Sequence, residues 1–166
     1  MTNLRETTMK NLQFLTFLVI GLLIVMLVNI MPIAANGDNN SPLRETLEEN
    51  RQLWRSQTIK NYQYIYQQWC FCPPPSNDSL KVSVKNDKIA EVVNLNNNQV
   101  ITDLTFPKTI EELFNIIEDA IKRNADEILI TYDPNLGYPT RVAIDYENIL
   151  ADEEITYTVE NLSKLD

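Results

Sequence analysis

The chain has 166 residues, 44% of them apolar, which suits one globular domain with an extension. Its formal net charge is −9 and it contains no histidine, which excludes Ser-His-Asp and Cys-His nucleophile chemistry because neither runs without an imidazole. Residues 36–166 alone carry 12 basic against 22 acidic side chains, an excess that argues against nucleic acid as a partner, since backbone affinity depends on lysine and arginine displacing counterions.

Residues 1–35 read as an export or anchoring helix. The run FLTFLVIGLLIVMLV (14–28) is uncharged and follows Arg5 and Lys10, and Pro32, Ala34 and Ala35 come after it. One reading is a secretory signal peptide cleaved after Ala35. The other is an uncleaved membrane anchor, since residues 14–35, at about 1.5 Å each, reach across about 30 Å of hydrocarbon. Both place residues 36–166 outside the cytoplasm, with the positive flank inside. No cysteine follows the apolar run, so lipid attachment is not expected.

Residues 36–42 form a polar linker, and residues 43–166 form a single domain. Ser41 and Pro42 mark a helix start, a capping hydroxyl followed by proline in the first turn. Leu43, Leu47, Asn50 and Trp54 then share one helical face to about Ser56. NYQYIYQQWCFC (61–72) alternates and is rich in β-formers, so it reads as a strand closed by Pro73, Pro74 and Pro75. SLKVSVK and KIAEVVNL form a hairpin turning at Asn86 and Asp87, and residues 94–99 read as a loop. Thr109 and Glu112 form a capping box ahead of Ile110, Leu113, Phe114, Ile117 and Ile121 at helical spacing. Three strands follow: EILITY, TRVAIDY and EITYTVENL. Between the first two, Asp133, Pro134, Gly137, Tyr138 and Pro139 form a structural turn. The expected fold is α+β, an antiparallel sheet of about five to six strands with two helices packed on one face. A duplicated helix-plus-three-strand unit is a further possibility.

Cys70 and Cys72 are the only cysteines. On a regular strand they face one side with Cα atoms about 6.6–6.8 Å apart, at the outer limit for a disulfide unless a bulge at Phe71 closes the gap. Three roles stay open: a structural disulfide, two thiols, or a redox pair or soft-metal site. Tyr62, Tyr64 and Tyr66 share one strand face and read first as core and sheet, otherwise as a possible binding surface. Asp133, Asn135 and Asp145 do not fit a calcium loop, whose glycine and terminal glutamate are misplaced here. Glu147, Asp152, Glu153 and Glu154 read as a solvated acidic stretch. No catalytic residue, metal site or cofactor is expected.

Asn61-Tyr62 with Tyr64 after a tryptophan-bearing helix, Cys70-Phe71-Cys72, Thr109-Ile110-Glu111-Glu112-Leu113-Phe114, Tyr132-Asp133-Pro134, Gly137-Tyr138-Pro139 and Asp145 occur in that order. Over about residues 50–162 the chain resembles a bacterial exported family known as domain of unknown function 6174. The resemblance implies secretion or lipoprotein anchoring and a compact α+β domain, and no established activity. The functional expectation is an exported or membrane-anchored cell-envelope domain, a non-catalytic binding or structural module whose partner is another envelope protein. It would touch the membrane through residues 14–35 if these are retained. The alternatives are a thiol–disulfide redox protein using Cys70 and Cys72, or an inhibitor or chaperone of another envelope protein.

Overall fold

The computed structural model describes residues 40–72, 77–147 and 154–165. The export or anchor helix expected in residues 1–35, most of the linker and Pro73, Pro74 and Pro75 lie outside these. Helix α1 spans Ser41–Ser56 and buries Leu47, Arg51 and Trp54. Its cap is Asn40 rather than Ser41, and no side chain caps it. The Asn40 amide donates instead to Asn124 Oδ1 at 3.1 Å, tying the start of α1 to the loop after the second helix. That helix, α2 (Ile110–Arg123), carries the expected capping box. Thr109 Oγ1 accepts from the Glu112 amide at 3.2 Å, and Glu112 Oε2 accepts from the Thr109 amide at 2.7 Å. The predicted apolar stripe Ile110, Leu113, Phe114, Ile117 and Ile121 is fully buried, and Asn124 ends the helix in a left-handed conformation.

Among the described residues, seven strands form one antiparallel sheet: β1 (Tyr62–Trp69), β2 (Leu80–Lys85), β3 (Lys88–Asn94), β4 (Gln99–Val100), β5 (Glu127–Tyr132), β6 (Pro139–Asp145) and β7 (Ile155–Lys164). The spatial order is β4-β3-β2-β1-β7-β6-β5. The strand count exceeds the expected five to six because the segment after the 94–99 loop returns to pair Val93 with Val100 and Asn94 with Gln99. Asn86 and Asp87 both take positive φ, 50° and 62°, as a tight hairpin between right-twisted strands demands. The long C-terminal strand β7 inserts between β1 and β6 and welds two meanders into one sheet. A two-fold normal to the sheet would bring β5, not β7, against β1, so the halves are not related as duplicated units.

The core lies between the helices and one sheet face. Alternate residues of β1, Tyr62, Tyr64 and Tyr66, point into it with Leu80, Val82, Val84, Val142, Ile144 and Val159 from neighbouring strands. Arg51, 7% exposed, joins the helices. Its guanidinium donates to Glu118 Oε2 at 3.0 Å and Asn115 Oδ1 at 3.3 Å and lies 5.4 Å from the centre of the Phe114 ring.

Candidate functional site

Strand β1 stops at Trp69, one residue short of the cysteines, so Cys70 and Cys72 sit on a bend rather than on the strand where the alternation placed them. Their Cα atoms are 5.2 Å apart and the sulfurs are bonded. The bend removes the separation that an extended backbone would impose. Phe71, held between the two bridged residues, is 87% exposed, and Trp69 beside it is 52% exposed. Behind the bridge, the Gln68 amide donates to Cys70 Sγ at 3.3 Å, and Gln68 Oε1 accepts from the Tyr66 hydroxyl at 2.9 Å.

The tyrosines expected as a possible binding surface are the opposite of one. Tyr62, Tyr64 and Tyr66 are each no more than 3% exposed. Their rings run in series at centroid separations of 5.8 and 6.4 Å, starting from Trp54, which meets Tyr62 edge-on at 5.4 Å. Each hydroxyl is bonded: Tyr62 accepts from the Ile110 amide, Tyr64 donates to the Lys108 carbonyl and Tyr66 donates to Gln68. Burial pushes all three phenols up from their ordinary range, so they stay neutral.

The other face of the sheet carries neither helix. Across four adjacent strands the register aligns Leu129 with Ala143, Ala143 with Thr156 and Thr156 with Trp69. Leu129 is 57% exposed, so this row has exposed apolar groups at both ends. One pleat further toward the bridge, Glu127 stands opposite Asp145, and the exposed Glu154 comes immediately before β7, two residues from Thr156. None of these three carboxylates forms an ion pair among the described residues. Asp145 Oδ1 accepts the Glu147 amide at 3.1 Å. The carboxylates thus span about 10 Å and lie about 7 Å from the Leu129–Trp69 row, which is about 14 Å long.

A family model for a family of unknown function, DUF6174, matches residues 46–164, nearly the whole described domain. The chain belongs to DUF6174. No curated protein and no solved structure matches it.

Elsewhere in this DUF6174 domain the sequence-marked residues are structural. Asp133 Oδ1 accepts from the amides of Asn135 at 2.9 Å and Leu136 at 2.8 Å, and Gly137 takes φ +77°. Asp133, Pro134, Gly137 and Tyr138 therefore shape a turn, Pro139 opens β6 rather than belonging to the turn, and the Asp133 oxygen is occupied by backbone. Asp152 and Glu153 lie outside the described residues. Two clefts flank α2. One, of about 430 Å³, sits over Trp54 and Tyr62 with Arg55, Lys60, Asp87 and Glu111 at its rim. The other, of about 480 Å³, lies between α2 and Tyr146, Ile155 and Tyr157. Sequence reading missed the open-face rows. The alternation in EILITY puts Glu127 and Leu129 on one face, but which residues of other strands stand beside them is decided by the insertion of β7.

Proposed function

We propose that the protein is an exported or membrane-anchored cell-envelope domain that works as a non-catalytic binding module, with the bridged end of β1 as its contact point. One observation carries this: a phenylalanine 87% exposed is clamped between two bonded cysteines beside a half-exposed tryptophan. Exposed aromatics cost solubility, and a short covalent ring reduces the conformational freedom they lose on binding, as in the rigid aromatic anchors that dominate interfaces. The charged flank and apolar run of residues 1–35 supply export, and a bridge accords with an oxidising compartment. The test is to express the full chain with its leader, alkylate it before and after reduction, and weigh it by mass spectrometry. Both cysteines should label only after reduction. Membranes are then probed for partners with the native chain and with Trp69→Ser/Phe71→Ser. A partner retained equally by both would defeat the reading.

A second reading, thiol–disulfide exchange, is favoured by the Gln68 amide donating to Cys70 Sγ. An incoming thiolate attacking Cys72 Sγ would form a mixed disulfide and release Cys70 as a thiolate that this amide stabilises. A second thiolate of a dithiol partner would then attack the partner's own sulfur in the mixed disulfide, releasing Cys72 as a thiolate and leaving the partner oxidised and the cysteine pair reduced. Replacing Gln68→Leu should slow reduction by a small thiol if this reading holds. An unchanged rate, or a potential as low as that of inert structural bridges, would remove it.

A further inference from the structure

We infer that the open face of β5-β6-β7-β1 docks a basic polypeptide segment, its apolar side chains along the Leu129–Trp69 row and its lysines or arginines along Glu127, Asp145 and Glu154. This rests on the binding reading above and names the chemistry of the partner. Like charges directly opposite on neighbouring strands destabilise a sheet, and Glu127 stands opposite Asp145 with no cation paired to either among the described residues. The arrangement brings the isolated fold no benefit. A cationic partner would relieve it, and the adjacent exposed Leu129 and Trp69 provide apolar area to bury.

Charge also decides among possible occupants. A second copy would bring the same acidic row against itself, within a chain of net charge −9. A phosphate-bearing lipid surface would be repelled for the same reason. A segment combining basic and apolar residues is complementary to both rows.

The test titrates the full chain, by calorimetry and tryptophan fluorescence, with a short synthetic peptide of leucine and lysine and with its glutamate-for-lysine counterpart. The neutralised variant Glu127→Gln/Asp145→Asn/Glu154→Gln keeps the Asp145 acceptor for the Glu147 amide. A control, Glu45→Gln/Glu48→Gln/Glu49→Gln on exposed α1 positions, changes net charge equally. The lysine peptide should bind the native chain, more weakly as salt rises, and about tenfold more weakly to the neutralised variant, with the control little changed. The neutralised variant should also melt about 3 °C higher. Equal weakening in both variants, equal binding of the glutamate peptide, tighter binding to anionic vesicles, or self-association through this face would overturn the inference. If partner capture requires Trp69 and Phe71 but survives neutralisation of the three carboxylates, the binding reading stands and this inference falls.

Discussion

Gly137 combines two constraints at one residue. Its φ of +77° lies where a side chain is strained, and a Cβ there would stand 2.5 Å from the Asn50 carbonyl oxygen and 2.9 Å from Leu53 Cβ on α1. The first effect alone costs about 1–2 kcal/mol, and forcing a methyl into packed backbone adds a similar amount. Gly137→Ala should therefore lower stability by about 3 kcal/mol, read from urea denaturation. Leu53→Ala in the same chain should recover little of the loss, because alanine keeps the Cβ and the Asn50 carbonyl remains. A loss no larger than 1 kcal/mol would show that the helix yields. The glycine's role in the turn was legible from Asp133, Pro134 and Gly137 together. The approach of α1 was not, since nothing local in the sequence records which helix packs on the turn. The cysteines teach the same lesson. Their chemistry was readable, but the strand pattern carried three residues too far, because the chain bends at the bridged cysteines.

Between elements, the contact of α1 with α2 depends on a buried cation. Arg51 reaches Glu118, and Lys122, one turn further along α2, meets the other Glu118 oxygen at 2.6 Å. The hydrogen bond from Lys122, then that from Arg51, holds the Glu118 carboxyl down at about 2, against an ordinary 4.5. A depressed carboxylate stabilises the fold fully above its unfolded value and loses that contribution as pH falls through the folded one. Stability should thus decline between about pH 4.5 and 2. With its side chain 35% exposed, solvent screening limits the share from Glu118 to about 1 kcal/mol. Glu118→Gln should cost about that much at pH 7 and flatten the decline in urea midpoints measured from pH 5 to 2, and an equally steep decline would assign the acid sensitivity elsewhere. The start and apolar face of helix α2 were readable because capping box and period agree with each other, while its left-handed end at Asn124 was not read from the sequence. Helix α1 was readable in its apolar face. Its cap was not, because the Asn40 amide serves a tertiary contact.

Across the whole molecule, β1 sits at the junction of the two meanders, and its tyrosine row forms the floor on which both helices rest. The alternation of β1 and the predicted hairpins were plain in the sequence. The lateral order of strands was not, because inserting β7 beside β1 is a choice among long-range pairings that local pattern leaves open. That choice buries a set of phenols together: Tyr62, Tyr64 and Tyr66 rise above their ordinary range, and Tyr132 and Tyr157 rise to about 12, with burial the largest cause in each. Unfolded tyrosine ionises near pH 10. Below that value the preference of the fold for neutral phenols stabilises it in full, and the stabilisation is lost as pH climbs through the folded values. The domain should unfold cooperatively in alkali, with phenolate absorbance and loss of far-ultraviolet circular dichroism rising together above pH 10. Tyr132 gives the sharpest check. Its hydroxyl is buried without a hydrogen-bond partner among the described residues, while its ring stacks on Phe114 at 6.3 Å. Tyr132→Phe keeps the ring and removes an unsatisfied polar atom, so stability at pH 7 should be unchanged or up to about 1 kcal/mol higher, and the alkaline midpoint should move up. A loss of stability at neutral pH would mean that the hydroxyl has a partner, and alkaline unfolding with phenolates appearing well before the fold opens would mean that the phenols are not buried as a unit.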